Sequence, residues 1–563
     1  MFLKKYVVVV WALFATLPLW GQSSNIPLSD IHYWYIDRAD VLFDTDYITF
    51  SHTSFKPYNT FNSINFLYAH GVYSNKLSNI DSTNFLDLNK AYPEHAKYRV
   101  LSKKPILKHF YKYPGDFYRL DLDKASSIWF AINPVIYFMY MREKGQTESL
   151  FLNTRGLEIR GEIATRLGFY TRFTENQARF PSFINSDFVN GEYPSVPGVG
   201  YFRKFKTSTG VDYFTATGYV SFKALREIEM QFGHGQHFIG NGLRSLILSN
   251  ETANALYFKI QTNVWKFQYT NLFQQLTRRF DNLGDGLREP KYMALHHLSY
   301  NITQNLNFGI FESVIFDRDD GFELQYLNPL IFYRAIERDL GSPDNVIVGI
   351  DAKWNIWKHL SLYSQFVLDE FHFEGLKNMD GDWRNKFGLQ FGAKYYDTLF
   401  KMPFGVQIEY NAVRPYLYSH NSEAGAYVHY NRPLAHPLGA NFHEIIGKLQ
   451  LQPHKDILLH VDAMYAIKGL DTVVNDSTVT NYGGNIFNNY TTRVSEKGNS
   501  IAQGNRQTIL NAEIGATYLF KTNLQLDLNV QLRSEQLADL ASRNTWFLSI
   551  ATRWNIARRQ FLY

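Results

Sequence analysis

The sequence predicts an all-β protein, a transmembrane antiparallel β-barrel of about 18 strands with a small N-terminal helical segment. Three observations predict this fold. The first 21 residues have the composition of an export signal. Apolar and polar residues alternate with a period of two from about residue 127 to the end of the chain. Short and long connections also alternate along that region, as they do in outer-membrane barrels.

The N-terminus divides into the parts of a signal peptide. Lys4 and Lys5 form the positive region, residues 6–19 form the apolar region, and Gly21 precedes the cleavage site, with Gln22 as the first mature residue. A retained membrane anchor is the alternative, but the apolar run is short for a spanning helix. We therefore predict a signal peptide at 1–21, an N-terminal helical or periplasmic segment at 22–126, and an outer-membrane β-barrel with long extracellular loops at 127–563.

Composition narrows the class of protein. No cysteine occurs in the 563 residues, which excludes disulfides, thiolate metal sites and cysteine nucleophiles. Aromatic residues make up 17% of the chain, an excess that aromatic girdles at two membrane interfaces would use. The formal charge of +5 is small for this length and argues neither for nor against nucleic acid, so no nucleic-acid partner is predicted.

The alternation is clearest near the C-terminus. From 524 to 532, leucine or valine occupies every second position and polar residues occupy the positions between them. Such a segment has one apolar and one polar face. A soluble β-sandwich shows the same pattern, but these segments run to about 9–13 residues, the length of a membrane-crossing strand. Charged residues such as Glu158, Asp351 and Glu409 also lie mid-segment on the polar face, where an aqueous lumen suits them.

The connections between segments give the number of strands. A first strand near 127–141 and a last near 544–556 flank eight hairpins, predicted at 157–174, 211–233, 254–273, 292–316, 345–369, 384–412, 442–467 and 505–533. The total of about eighteen is even, and it places both ends of the barrel at the short-turn, periplasmic side. Phe561 and Tyr563 break the alternation of the last strand, which predicts a bulge or a frayed tail there.

Helices are predicted in two regions. Before the barrel, Ser29 can cap a helix over 30–38, and residues 58–70 and 106–113 are further short helices. This N-terminal segment forms either a layer beneath the barrel, which we favour, or a plug within it. In a long loop, the apolar residues 328–338 begin with Asn-Pro and predict a helix that folds back into the mouth or lumen and constricts it.

No catalytic signature is present. The sequence contains no His-Glu-x-x-His, no Gly-x-Ser-x-Gly and no phosphate-binding loop. His234 and His237 lie among glycines without a neighbouring carboxylate, which favours a strand end over a metal site. The acidic run 317–321 resembles part of a calcium loop, but its spacing fails after the glycine. We therefore predict no enzyme, no catalytic residue, no metal and no cofactor.

One predicted extracellular loop is crowded with aromatic side chains. Aromatic rings stack on the C–H faces of sugars, and neighbouring polar groups form hydrogen bonds with hydroxyls. The alternative is an interfacial girdle or packing within the loop. The candidate saccharide-contacting residues are Tyr416, Tyr418, His420, Tyr427, His429 and Tyr430.

Several stretches of the barrel resemble a known family. Residues 233–250, Gly-His-Gly-Gln-His-Phe-Ile-Gly-Asn-Gly-Leu-Arg-Ser-Leu-Ile-Leu-Ser-Asn, resemble the glycine-rich segment of the Wzi capsule-assembly family. Residues 322–334 (ending Leu-Asn-Pro-Leu-Ile-Phe-Tyr-Arg), 340–345 and 431–441 are similar to its Bacteroidota branch, which includes the gliding-motility outer-membrane protein RemB. The likeness covers most of the barrel and reaches residues 36–38.

The resemblance implies an eighteen-stranded barrel with an N-terminal helical part, and a surface lectin that holds capsular polysaccharide. Its RemB-like branch implies a surface component of gliding and adhesion, and it carries over no catalytic residue. We therefore predict a non-enzymatic protein of the Gram-negative outer membrane, with its loops at the cell surface. Its partners would be outer-membrane lipid, surface polysaccharide (capsule or slime), and gliding or surface-assembly proteins. The alternative, suggested by the charged lumen face, is a porin-like passive channel for small solutes.

Overall fold

The structure is a computed structural model, and it describes residues 24–43, 52–70, 78–96, 99–103, 105–122, 128–163, 167–205, 209–280, 286–318, 321–330, 332–341, 344–474, 478–538 and 540–563. The signal peptide predicted at 1–21 lies outside these residues. Within the described part of the chain, no helix is both long and apolar enough to cross a bilayer.

Eighteen long antiparallel strands of the described chain form a wall that closes on itself. They are β1 Ile128–Glu143, β2 Leu150–Ile163, β3 Leu167–Arg179, β4 Gly210–Lys223, β5 Ile228–Gly235, β6 Ala255–Val264, β7 Phe267–Thr277, β8 Pro290–Asn301, β9 Leu306–Phe316, β10 Asn345–Ile356, β11 Leu360–Glu370, β12 Lys386–Leu399, β13 Met402–Val413, β14 Phe442–His454, β15 Ile457–Leu470, β16 Asn505–Lys521, β17 Leu524–Leu537 and β18 Arg543–Trp554. Each strand pairs with the next, and β18 pairs with β1 to close the barrel. The predicted fold class and strand count are confirmed.

The strands turn their apolar faces outward. On β17, Leu528 and Leu532 are exposed, whereas Asp527 and Gln531 are buried inside the wall. A soluble protein buries its apolar face instead, so this reversal is the arrangement of a membrane-spanning barrel. Closure of the wall also pairs the backbone groups that a bilayer would leave without hydrogen bonds.

In the described part of the chain, three helices lie at the end of the barrel where the turns are short, here called the short-turn end. They are α1 His32–Leu42, α2 Thr60–His70 and α3 Asn79–Ala91. Their apolar side chains form one core, which also contains the inward-facing Tyr396 and Leu458 of the wall. Helix α1 begins later than predicted, because Asp30 rather than Ser29 accepts its first backbone N–H (His32 N to Asp30 Oδ1, 3.0 Å). The three helices together form the favoured layer at this end of the barrel.

One part of this segment enters the lumen. Phe55–Lys56 forms a two-residue strand that pairs with Phe238–Ile239, which belong to a loop from the opposite, long-loop end. The layer and the plug are thus both present, in different parts of the N-terminal segment.

Arg38 joins α1 to α3 and to the wall. Its guanidinium donates to both carboxylate oxygens of Asp81 (2.7 and 3.1 Å) and to the backbone carbonyls of Asp397 and Phe404 (2.7 and 3.0 Å). Arg38 is only 1% exposed. A buried charge with these partners is strongly destabilised when one partner is removed.

The prediction of a helix at 106–113 is wrong. The backbone of this stretch forms a bridge with itself, since the N–H groups of Ile106 and Phe110 donate to each other's carbonyls (2.8 and 2.9 Å). The following residues, Tyr118–Asp121, then add a short strand to β1 from Trp129 to Ile132. The aromatic ring of Phe110 packs against Tyr118 (centroids 5.1 Å apart). The segment therefore contacts the barrel in an extended conformation beside β1 rather than as a helix.

The helix predicted at 328–338 forms as α4 Tyr333–Leu340, but it does not enter the mouth or lumen. Ile336 packs with Phe273 and Val314 on the outer face of β7 and β9. The backbone N–H of Tyr333 donates to Glu312 (2.7 Å), a carboxylate at an outward strand position. The predicted constriction by this segment is wrong, because its apolar side finds a partner on the outside of the wall, where it also covers a charge.

The chain beyond β18 forms neither of the predicted features, a bulge or a frayed tail. Residues 555–563, here called the C-terminal tail, turn back into the lumen. Asn511 and Gln531 on the inner wall donate to the backbone carbonyl of Phe561 (2.9 and 2.8 Å). The ring of Tyr563 packs against Phe188 of a long loop (centroids 5.4 Å apart), so the tail runs upward toward the long-loop end.

Replacement of Arg38 by alanine is expected to loosen the helical layer without opening the barrel. Asp81 would remain buried without its cation, at a cost of about 3–5 kcal/mol. In detergent, limited proteolysis should cleave α1–α3 much faster, while the barrel keeps its heat-resistant mobility in gel electrophoresis. Thr83→Ala, on the exposed side of α3, is the matched control. Equal protection of both variants would contradict the role of Arg38.

Candidate functional site

A glycine-rich loop from the long-loop end fills the centre of the barrel. This lumen loop, residues 236–254, lies against polar side chains that point inward from mid-strand. Glu409 accepts the backbone N–H groups of Leu243 and Arg244 (2.7 and 3.1 Å), and Gln365 accepts that of Leu246 (2.8 Å). Hydrogen bonds of this kind contribute about 0.5–1.5 kcal/mol each. The wall therefore holds the loop by its backbone.

The glycines of the lumen loop allow this close approach. A Cβ on Gly242 would lie 2.3 Å from Glu409 Oε2, and one on Gly240 would lie 2.5 Å from Gln365 Nε2. Gly240 also has a φ of +137°, which other residues rarely adopt. The glycine-rich stretch is thus required by the position of the loop inside the wall.

A second loop packs on the lumen loop from above. In this cap loop, residues 414–441, the hydroxyl groups of Tyr418 and Tyr427 donate to the carbonyls of Leu246 and Ile247 (2.6 and 2.9 Å). The two tyrosine rings stack with centroids 5.7 Å apart. The same side chains belong to an apolar core that includes inward-facing wall residues such as Phe311. The two loops therefore close the lumen as one packed unit.

The six candidate saccharide-contacting residues are distributed unevenly in the cap loop. Tyr416, Tyr418, Tyr427 and His429 are at most 1% exposed, and His420 is 8% exposed. Burial lowers the pKa of His420 to about 4 and the pKa of His429 to about 3, so both side chains are neutral at neutral pH. Of the six, only Tyr430 lines a cavity, a space of about 480 Å³ beside β4. Packing within the loop, the alternative use of these rings, accounts for most of the cluster.

The cap loop is also strained at its tyrosines. Tyr416 and Tyr418 have φ values of +66° and +72°, a conformation that costs roughly 1–2 kcal/mol for a residue other than glycine. Tyr416 compensates by donating from its hydroxyl to the carbonyl of Asn481 (2.9 Å). These side chains therefore fix the shape of the loop.

The two histidines of the glycine-rich stretch do not converge. His234 lies outside the wall, where its Nδ1 contacts the carbonyl of Ala216 (2.9 Å). His237 is buried inside, with its ring 4.5 Å from that of Tyr257. The two imidazoles therefore share no metal site.

A different cluster has the donor set of a metal site. His460, Asp462 and Glu513 face the lumen with their ligand atoms within 4.8 Å of one another. The guanidinium of Arg558, on the C-terminal tail, contacts all three side chains, with Asp462 at 2.8 Å. Burial opposes the charge of Arg558, but the carboxylates of Glu513 and Asp462 outweigh it and raise the pKa of the guanidinium above its ordinary value. An arginine thus occupies the position where a cation would bind.

Two adjoining polar cavities remain in the lumen beside the lumen loop and the C-terminal tail. The inner cavity has a volume of about 240 Å³ and the middle cavity about 370 Å³. They share lining residues, among them Asn250, Lys448 and Arg558. The middle cavity is lined by side-chain hydroxyls and amides, including those of Thr154, Thr174, Thr215, Thr217, Asn176 and Gln236. Such groups can hydrogen-bond the hydroxyls of a sugar.

Two ammonium groups face these cavities without a hydrogen-bond partner, although Lys448 lies across the sheet from Asp462. Lys56 lines the inner cavity and Lys448 lines both, and neither forms a hydrogen bond or ion pair with any residue that the structure describes. Lys56 is stacked over the ring of Phe238 (4.8 Å to its centroid), and burial lowers the pKa of its ammonium group to about 8. Most other charges here are paired, such as Lys394 with Asp37 (2.6 Å). The cavities are therefore suited to a ligand with hydroxyl groups and a negative charge.

Sequence reasoning did not find these residues. Lys448 was visible only as one of many charges on inward strand faces, and Lys56 lay in a segment without periodicity. The sequence signal for this site is the glycine-rich stretch at 233–242, because glycine allows the backbone to approach polar side chains of the wall closely. The partner side chains at 365 and 409 are distant in sequence and become neighbours only when the barrel closes.

Comparison with solved structures finds outer-membrane barrels of similar fold. Wzi of Escherichia coli, an outer-membrane protein involved in group 1 capsule assembly and described as a carbohydrate-binding β-barrel, aligns over 95% of this chain and 100% of its own, with 12% identity and a TM-score of 0.55. This likeness shows the fold. OprD of Pseudomonas aeruginosa aligns over 76% of this chain and 93% of its own at 11% identity, with a TM-score of 0.40. No family model matches the sequence, and no curated protein does.

Replacement of Arg558 by alanine is expected to release the C-terminal tail. Asp462 and Glu513 would lose their shared cation, and the tail would lose its charged anchor. Hydrogen exchange followed by mass spectrometry should show the amides of 556–563 exchanging about tenfold faster or more, since one lost charged contact is worth about 1.5–3 kcal/mol. Arg506→Ala, at an exposed position of β16, should leave that exchange unchanged. Tail protection equal to the wild type would contradict this assignment.

Proposed function

We propose that this chain is a non-enzymatic outer-membrane protein that binds acidic surface polysaccharide, of capsule or slime, in its luminal cavities, with its long loops at the cell surface. One observation carries the proposal. The lumen loop and the C-terminal tail fill most of the lumen, and the polar cavities that remain are lined by Lys56 and Lys448, which form no ion pair within the described chain. A pocket lined by hydroxyl, amide and cationic groups suits the binding of a polar ligand better than the passage of solutes. The carbohydrate binding stated for Wzi agrees with this proposal.

Within the cap loop, we assign direct sugar contact to Tyr430, whose ring lines a cavity. Tyr416, Tyr418, His420, Tyr427 and His429 then act indirectly, by holding the cap loop on the lumen loop. Membership of the Wzi family, and a role in gliding or adhesion as in its RemB-like branch, are further parts of the proposal that rest on the sequence resemblance.

Removal of the lysine charges tests the ligand class. Lys56→Gln with Lys448→Gln should weaken binding of an acidic oligosaccharide such as an oligouronate by about tenfold or more, because each charge-assisted hydrogen bond is worth about 1.5–3 kcal/mol. Isothermal titration in detergent measures the loss, and a neutral oligosaccharide of equal length should be affected little. Lys377→Gln, on an exposed loop helix, is the control. The proposal fails when the double variant binds the acidic ligand as tightly as the wild type.

A passive channel is the competing function, and conductance separates the two. The closed lumen predicts little steady current from the wild-type protein in planar bilayers. Replacing 241–249 by a short glycine-serine linker should raise the current on the order of tenfold, because an eighteen-stranded wall encloses an aqueous channel when it is unfilled. Removal of 324–338 should not raise it, since that segment lies outside the wall. Large steady currents from the wild type would instead support a porin.

A further inference from the structure

The barrel wall is incomplete at one place near the long-loop end. On one side, β4 pairs with β3 along its whole length, from Arg179↔Gly210 to Leu167↔Phe222. On its other side, the pairing passes from Arg203↔Asp212 directly to Gly218↔His234. The five residues between, 213–217, have no strand partner there among the described residues. The wall has a gap above the end of β5.

Side chains rather than a strand occupy the edge of this gap. Asn254 donates from Nδ2 to the carbonyl of Ala216 (2.6 Å) and to the hydroxyl of Thr217 (3.0 Å). The imidazole of His234 contacts the same carbonyl (2.9 Å). These contacts satisfy an edge carbonyl that a bilayer would otherwise leave unpaired. At this carbonyl, side chains take the place of the missing strand.

A cavity of about 480 Å³ passes through the gap. It is lined by Phe214 and Ala216, which point outward from β4, and also by Tyr213 and Thr215, which point inward from the same strand. A closed sheet separates these two faces, so a cavity that touches both must cross the wall. We call it the wall cavity.

The outer side of the wall cavity is apolar around Phe214 and polar at Asp212 and His234. Phe214 is 62% exposed, and its ring stacks with that of Phe173 on β3 (centroids 6.5 Å apart). Phe232 and Leu256, on the strands just below the gap, are exposed and apolar as well. The exposed Arg203 lines the same cavity toward the loops. Apolar side chains bordered by polar and charged ones are the arrangement expected where acyl chains give way to lipid headgroups.

The inner side of the wall cavity is polar. It shares Tyr213, Thr215 and Asn254 with the middle cavity, so the two spaces adjoin. The guanidinium of Arg559 lies at this junction and donates to the hydroxyl of Tyr213 (3.0 Å). The unpaired ammonium of Lys448 faces the middle cavity beyond it. A ligand that spans the gap would meet lipid at one end and hydroxyl and cationic groups at the other.

We propose that the gap between β4 and β5 is a lateral portal, through which the saccharide headgroup of an anionic glycolipid enters the middle cavity from the outer leaflet while its acyl chains remain in the membrane beside Phe214. The proposal rests on the proposed function in that the headgroup uses the same cavity. It adds that the bound saccharide is lipid-linked, and that it arrives through the wall rather than through the mouth.

A tryptophan in the gap tests the portal. Ala216 is an exposed, outward residue of β4, and an indole is well tolerated at a membrane interface, so Ala216→Trp should fold normally. Native mass spectrometry of the mature protein in detergent, titrated with diphosphorylated hexa-acyl lipid A carrying its core oligosaccharide, should show about tenfold weaker binding, equal to about 1.4 kcal/mol. Ala512→Trp, at an outward position of β16, should bind as the wild type does, and so should Ala216→Gly.

The outcomes separate the two proposals. Unchanged glycolipid binding by a heat-resistant Ala216→Trp barrel overturns the portal, even when Lys448→Gln still weakens binding of a free acidic oligosaccharide. Loss of glycolipid binding in Ala216→Trp but not in Ala512→Trp supports the portal. Equal loss in both tryptophan variants overturns it, because the effect would then arise from any added indole on the outer surface.

Discussion

An eighteen-stranded wall encloses more space than its inward side chains can fill. In this protein the chain itself fills that space, with residues 52–58 from one end, the lumen loop from the other, and the C-terminal tail turned back from β18. Each segment is held by polar groups at inward strand positions: Lys353 with Thr53 (2.8 Å), Glu409 with the lumen loop, and Asp462 with Arg558. The charged lumen face, which in a porin would line water, is here largely a set of anchors for internal segments.

On the outer surface, too, polar side chains of the wall hold a segment that folds back on it. His296 and Glu312 occupy outward strand positions, where lipid would meet polar groups, yet both are buried. Helix α4 covers them, with the ring of Tyr333 4.0 Å from that of His296 and its N–H on Glu312. Polar residues at lipid-facing positions thus mark the place where a loop returns along the outside of the wall.

The sequence allowed the wall to be predicted because strand alternation is a local property, readable over about ten residues. Both the strand number and the strand positions followed from it. The positions of the internal segments depend on pairs far apart in the chain, such as Gly242 with Glu409 or Phe561 with Asn511, and no local period encodes them. The aromatic cluster of the cap loop is visible in the sequence as a local crowding of rings. Its burial was not foreseeable, because the same rings suit sugar stacking and internal packing equally well. The polar His296 and Glu312 interrupt the apolar face of their strands, and this interruption is the sequence signal for the course of α4.

The shortness of β5 has a consequence for the surrounding bilayer. Its 8 residues, against 14 in β4, span only about 20 Å of membrane height rather than about 35 Å, at roughly 3.3 Å per residue and a tilt near 40°. Lipid on that flank meets a lower hydrophobic wall than lipid elsewhere around the barrel. Hydrophobic mismatch then thins the adjoining leaflets or inclines the whole molecule toward that flank. The barrel is therefore asymmetric within the plane of the membrane, and the flank at β5 orients it relative to neighbouring membrane proteins.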